Sequence, residues 1–349
     1  MIKPKNLLIV RTDRIGDVVL SLPLAELIKK NYPDCKVTFL IREYTKDIVS
    51  NNPFIDEILV LKEEDKKILI NKNVKQIVTK KFDSAIIVYP TFQTSLIIYL
   101  SKIKNRIGTG YRWYSFLFNN KVYEHRKYAE KHELEFNISL LKKFGIEEFI
   151  NKQNVNFNLR PKEEDIKKVR EYLIKENIDF TKTIIIIHPG SGGSAVDLPI
   201  EKFRDLISLI SSKLDSEVIL TGSPEEKELC ESLVINENIK NFAGFFNLAE
   251  LIALINFCGI FIANSTGPIH IAAALNKYII GFYPKILACS PRRWGPYNEK
   301  SIIFSPKINC ENCTREQCEQ LNCMNTIEVT DIFLEVNKIF KFLVANGEN

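Results

Sequence analysis

A chain of 349 residues with 45% hydrophobic and 26% charged side chains, 14 glycines and 14 prolines reads as a soluble globular protein of two ordinary domains. This composition excludes collagen-like, mucin-like and disordered chains. The net charge of +5 conceals an asymmetry: residues 1–160 hold 28 Lys and Arg against 18 Asp and Glu, a balance of +10, whereas residues 161–349 hold 20 against 25, a balance of −5. The N-terminal half is therefore the one that attracts anions.

In chain order, short β-branched apolar runs alternate with amphipathic stretches, the grammar of parallel strands with crossover helices. Residues 6–10 predict a strand, 17–31 a helix, and 36–41, 57–60 and 84–89 further strands. Residues 151–161 lack periodicity and mark a boundary. The grammar then restarts, with a charged helix over 161–176, a buried strand over 183–187 and a helix over 200–214. Strands at 217–220, 259–263 and 278–282 follow, and 329–345 predicts a last helix. Tandem doubly wound units bind ligands at the carboxyl ends of their strands.

The run Leu7 to Val10 is too short for a signal-peptide core, and residues 85–100 are interrupted by Pro90 and Gln93. A cytoplasmic protein is expected, one that touches a membrane surface. Basic clusters at Lys102, Lys104 and Arg106 and at Lys121, His125, Arg126 and Lys127 suit an anionic partner at such a surface. No ribonucleoprotein pattern of aromatics accompanies them, so no nucleic-acid partner is expected.

Three strand-to-helix loops carry chemistry. The first holds Arg11, Asp13, Arg14, Gly16 and Asp17. Asp17 suits either a helix cap or a carboxylate kept ionised as a general base by the helix N-terminus and a neighbouring arginine. The second loop, His188-Pro-Gly-Ser-Gly-Gly-Ser194, can turn backbone N–H groups toward a phosphate; the plainer reading is a structural glycine turn. The third holds Ser265, Thr266, Gly267, Pro268 and His270, with Pro268 suited to a first helical turn. His270 lies beside that anion-favouring terminus.

Together these segments resemble glycosyltransferase family 9, the ADP-heptose:lipopolysaccharide heptosyltransferases. The resemblance covers nearly the whole chain and includes Arg106-Ile-Gly108, Thr221-Gly-Ser-Pro-Glu-Glu226 and Leu248-Ala-Glu-Leu-Ile252. It implies an α/β GT-B fold of two Rossmann-like doubly wound domains facing a central cleft. Residues 1–160 would bind the acceptor, 161–328 the nucleotide sugar, and the helix in 329–349 would return to the first domain. Carried over by position, Asp17 matches the catalytic base, and Ser191, Gly192 and Gly193 the donor-phosphate loop. Glu226 matches the acid on the donor ribose, and Phe246 an apolar cover for the base. Thr266, Gly267 and His270 match a donor-phosphate helix terminus; Arg11, Asp13, Arg14 and Arg106 fall on the acceptor side.

Two positions depart from the pattern. Val196-Asp197-Leu198 replaces a basic residue and Trp, and Ser265 stands where the family has an Asp on the donor sugar. Lys285, Arg292 and Arg293 are candidates for the missing cation. The resemblance implies an inverting glycosyltransferase that moves heptose from ADP-heptose to a lipopolysaccharide inner-core or related glycolipid acceptor, with no cofactor required. The alternatives are a GT-B transferase using another nucleotide sugar and a non-catalytic nucleotide- or glycan-binding homologue. Separately, Cys310, Cys313, Cys318 and Cys323 have the spacing C-x2-C-x4-C-x4-C, which suits a structural zinc, with reduced thiols or disulfides as the other reading.

Overall fold

The computed structural model describes residues 2–308 and 313–347. The chain divides after Leu159 into two compact units. In the first, β1 (Asn6–Val10), β2 (Lys36–Ile41), β3 (Glu57–Val60), β4 (Ser84–Ile87), β5 (Asn105–Thr109) and β6 (Asn120–Val122) form one sheet in the order β3-β2-β1-β4-β5-β6. Every pairing is parallel. Central β1 is covered on both faces, and this is why Leu7, Leu8, Ile9 and Val10 form an uninterrupted apolar run.

One long helix was expected after β1. The structure has two, α1 (Ile15–Val19) and α2 (Pro23–Asn31). Pro23 has no N–H to offer the preceding turn, so it starts a new helix instead of continuing the old one. Further along lie α3 (Phe92–Leu100), closed by a Thr91 capping box, and α4 (Glu133–Ser139), capped by His132.

The second unit repeats the plan. Strands β7 (Thr183–His188), β8 (Ser216–Leu220), β9 (Ile239–Asn241), β10 (Ile260–Asn264), β11 (Tyr278–Phe282) and β12 (Ser301–Phe304) are all parallel, in the order β9-β8-β7-β10-β11-β12. Both sheets therefore carry the dinucleotide-fold order, with the strand order reversing at β1/β4 and at β7/β10. The loops singled out in the sequence leave β1, β7 and β10 at those switch points. Around the second sheet lie α5 (Glu163–Lys175), α6 (Ile200–Lys213), α7 (Leu248–Phe257) and α8 (Gly267–Ala274). On α6, Phe203, Leu206, Ile207 and Ile210 point inward at helical spacing, and Phe203 meets Phe282 edge-on with ring centroids 5.5 Å apart.

After the short helix α9 (Arg315–Gln320) comes the last helix, α10 (Val329–Asn346). Its buried residues Ile332, Val336, Ile339 and Leu343 lie in the core of the second unit, packed beside α6, β7, β10 and β11. The sequence reading expects this helix to return to the first domain; its buried face is described within the second unit. An apolar stripe shows that a helix is half buried but does not say on which sheet.

Candidate functional site

In the first unit the loop after β1 is organised by one buried cation. Arg11 is 0% exposed, and its guanidinium reaches Asp13 at 2.7 Å, Asp17, and Glu133 of α4 at 3.6 Å. Asn137 accepts a further bond at 3.3 Å. Burial opposes the charge on Arg11, but Asp17, Asp13 and Glu133 hold its pKa above the usual guanidinium range. Arg126 joins the same cluster through Glu133 and Asn137.

Asp17 lies inside α1, where the N-cap position falls to Arg14. Its carboxylate meets the Arg11 guanidinium at the helix N-terminal turn. Burial pushes the Asp13 pKa up to about 7 and the nearby Asp17 charge adds to this, against the pull of Arg11. Arg106 is not part of this cluster. Its Nε donates to the Leu117 carbonyl at 2.8 Å and its Nη1 to that of Ile103 at 2.6 Å.

In the second unit the loop after β7 is built on backbone. Gly192 and Gly193 have φ of +56° and +73°, which favours glycine, and neither would meet an atom within 4 Å if given a Cβ. Beside them the Ser191 hydroxyl is buried next to Asp197. Glu226 backs the loop, accepting from the Gly192 N–H at 3.1 Å and the Ser223 N–H at 2.8 Å. A Cβ on Gly190 would fall 1.9 Å from the same carboxylate. Phe246 belongs to an aromatic group with Phe242, Phe245 and Tyr172.

The third segment is tied to the second. Asn264, at the end of β10, donates from Nδ2 to the Pro189 carbonyl at 2.5 Å and accepts from the Leu198 N–H at 2.9 Å. It thereby holds the glycine loop beside the start of α8, whose N-cap Thr266 leaves its first N–H groups without a side-chain cap. His270, in the first turn, has a buried Nδ1 with no partner, and burial lowers its pKa to about 4. At neutral pH it is an uncharged donor or acceptor. His188, bonded to Thr221 at 3.0 Å, is likewise held near 4 by burial. The Ser265 hydroxyl is engaged with Tyr283.

Similarity to known proteins bears on this geometry. The model of glycosyltransferase family 9 (heptosyltransferase) matches residues 70–324. The chain belongs to glycosyltransferase family 9. It is a glycosyltransferase of GT-B fold, as the sequence resemblance implied. A Haemophilus influenzae protein carrying only the general name glycosyltransferase is 29% identical over 346 residues, 95% of this chain and 97% of that protein. A lipopolysaccharide core heptosyltransferase of the same organism is 26% identical, covering 97% and 98%. The crystal structure of a family 9 glycosyl transferase from Veillonella parvula superposes with a TM-score of 0.83 at 20% identity, over 96% of this chain and 97% of that one.

Within this family 9 chain, side chains that sequence reasoning missed complete the second site. Arg315 of α9 donates to the carbonyls of Gly193 at 3.0 Å and Ala195 at 3.2 Å. It supplies a cation at the loop, whereas Lys285, one of the expected candidates, is bonded to the Ile308 carbonyl at 2.7 Å. Asp197 is mostly buried against Ser191, and burial raises its carboxyl to about 6. Phe245, stacked on Tyr172 at 4.3 Å and 52% exposed, is a more open ring than Phe246.

Cys310 lies outside the described residues. Cys313, Cys318 and Cys323 share one small apolar cluster with Ile286, and burial together with Cys323 and Cys313 pushes the Cys318 thiol up to about 12. Among the described residues no three His, Cys, Asp or Glu side chains are disposed to hold a metal ion. Those residues thus present no complete ligand set for the zinc suggested by the spacing.

Proposed function

We propose that this family 9 glycosyltransferase moves a heptose from ADP-heptose to a lipopolysaccharide inner-core or related glycolipid acceptor, with inversion at the anomeric carbon. The observation that carries the donor half is the union of loop 188–194, Glu226 and the start of α8, which Asn264 and Glu226 tie into one anion-favouring surface. The N–H groups of that loop and of the α8 terminus would take the diphosphate, and Glu226 the ribose. The rings around Phe246 would cover the adenine. Asp17 would take the proton of the acceptor hydroxyl as its oxygen attacks. Stabilisation of the departing ADP by fixed N–H dipoles would supply much of the rate enhancement. No metal has a step in this reading.

A second reading, transfer from another nucleotide sugar, draws on Val196 and Ser265, the two departures that lie at the donor loops. Thermal shifts with ADP, UDP, GDP and ADP-heptose separate the two. A ligand at ~100 times its Kd stabilises by about 2.7 kcal/mol, and ADP and ADP-heptose are expected to give the largest shifts. A preference for UDP or GDP would overturn the donor.

A further inference from the structure

The end of the second sheet opposite the glycine loop holds a cavity of about 340 Å³. Small-molecule sites typically enclose roughly 300–1,000 Å³. Ile184 near the start of β7, Gly259 just before β10, Tyr278 at the start of β11 and Lys300 just before β12 all line it. The loops proposed for the donor leave the other ends of β7 and β10. Five or six residues of strand, roughly 15–20 Å, therefore separate the two places. The cavity lies wholly within the second unit, where Arg170 of α5 and Leu343 of α10 also line it.

Charge in this lining has one sign. Arg170, Lys182, Lys277 and Lys300 contribute to it and no Asp or Glu does. This runs against the rest of the unit, since residues 161–349 carry a balance of −5. The Arg170 guanidinium lies 4.7 Å from the ring of Phe180 and 5.3 Å from that of Phe257. The Lys300 ammonium lies 4.8 Å from the ring of Tyr278. Stacking fixes a guanidinium while its N–H fork stays open to an oxyanion. Lys277 donates to the Asn256 carbonyl at 2.7 Å, which leaves N–H groups of the ammonium to spare. Among the described residues Arg170, Lys277 and Lys300 have no carboxylate partner, and Lys182 shares its charge with Asp215 at 2.6 Å. Four like charges around one hollow repel one another, and a bound polyanion relieves that repulsion.

We propose that this cavity binds a small anion carrying two or more phosphoryl groups, at a site separate from that of the nucleotide sugar. Arg170 and Lys182 come to it from α5 and the segment before β7, and Lys277 and Lys300 from the segments before β11 and β12. Strand β10 lies between these pairs in the sheet, which sets them roughly 10 Å apart at the backbone. A single phosphate meets one pair, whereas a pyrophosphate or a sugar bisphosphate spans both. Bonds from Arg and Lys to phosphoryl oxygens are charge-assisted and so among the stronger kind. Because Arg170 and Leu343 both line the cavity, a bound anion would brace α5 and α10 against the strand ends. The site requires neither the proposed donor nor the proposed acceptor.

The test titrates inorganic pyrophosphate, a hexose bisphosphate and inorganic phosphate into the full chain, by calorimetry and by NMR of isotope-labelled glycine. Pyrophosphate or the bisphosphate is expected to move the amide of Gly259, which lines the cavity. The tighter of the two tells whether the anion is inorganic or borne by a sugar. Inorganic phosphate should bind about tenfold or more weakly. Arg170→Gln with Lys300→Gln should weaken the tighter probe by about tenfold or more. Lys175→Gln with Lys213→Gln removes the same charge from outside the cavity and should leave binding within about twofold. Pyrophosphate held by the glycine loop would instead move Gly192 and Gly193 and persist in both double variants, so a failure of the donor reading shows separately. A Gly259 amide that neither probe moves in the unaltered chain would overturn the proposal. So would equal losses in the two double variants, or an affinity for inorganic phosphate as high as for either probe.

Discussion

The loops after β1 and after β7 occupy the same place in two sheets of identical strand order, yet they are made of opposite materials. The first encloses a fully buried arginine with three carboxylates, so its geometry is held by charged side chains. The second presents glycine N–H groups beside two neutral buried histidines, so its geometry is held by backbone and by Asn264. Topology fixes where a ligand can approach in both units. The residue types decide that one loop is suited to exchange a proton and the other to accept an anion.

The largest expected effect separates those two tasks. Asp17→Asn should lower kcat by ~10²–10⁴-fold and leave ADP affinity nearly unchanged. Near-normal turnover in this variant would return Asp17 to a structural role. A larger loss in Asp13→Asn would move the base there. Next, Arg11→Met removes the charge on which three carboxylates close. Breaking a buried pair from one side costs about 3–5 kcal/mol, which urea unfolding of the first unit should report. A loss below about 1 kcal/mol would show that the cluster behaves like a surface network.

Acid should then act on the two units with opposite sign. In the second unit His188 and His270 stay neutral down to about 4, whereas unfolded histidine takes a proton near 6.5. Their contribution is complete above pH 6.5 and is lost as pH falls toward 4. Asp197, raised to about 6, opposes this, but its smaller departure is outweighed by two histidines. In the first unit Asp13, raised to about 7 from 3.8, holds a proton that the unfolded chain has released. Its contribution is present below pH 4 and is lost as pH rises through 7. Hydrogen exchange of β1 and β7 amides between those limits, corrected for intrinsic rates, should show slopes of opposite sign; slopes of the same sign would break the contrast. The smallest effect concerns Arg315→Ala. It removes two bonds that shape the glycine loop from a half-exposed side chain, and ADP affinity should fall by about fivefold, near 1 kcal/mol. An unchanged Kd from calorimetry would leave the loop to its backbone alone.

Much of this architecture is legible in the sequence for a physical reason. Strands covered on both faces must be apolar throughout, so β1, β7 and β10 announce themselves. Strands β5, β6 and β9 carry Arg106, Lys121 and Lys240, the last two strands have only three residues each, and none of the three has an apolar run to signal it. The loops could be found because glycine, serine and a following helix are local features. Glu133 and Arg315 could not, since each meets its loop from more than 100 residues away in the chain. Nothing in a side-chain period announces such a meeting.

The last helix has a practical corollary. Ile332, Val336, Ile339 and Leu343 are fully or almost fully buried in the second unit. At about 1.5–3 kcal/mol for each buried aliphatic side chain, the four represent roughly 6–12 kcal/mol of gross burial, comparable with the entire net stability of a typical domain. A fragment begun near residue 160 and ended before residue 329 would expose a greasy trough and aggregate. The same fragment carried through residue 347 keeps this core cluster whole.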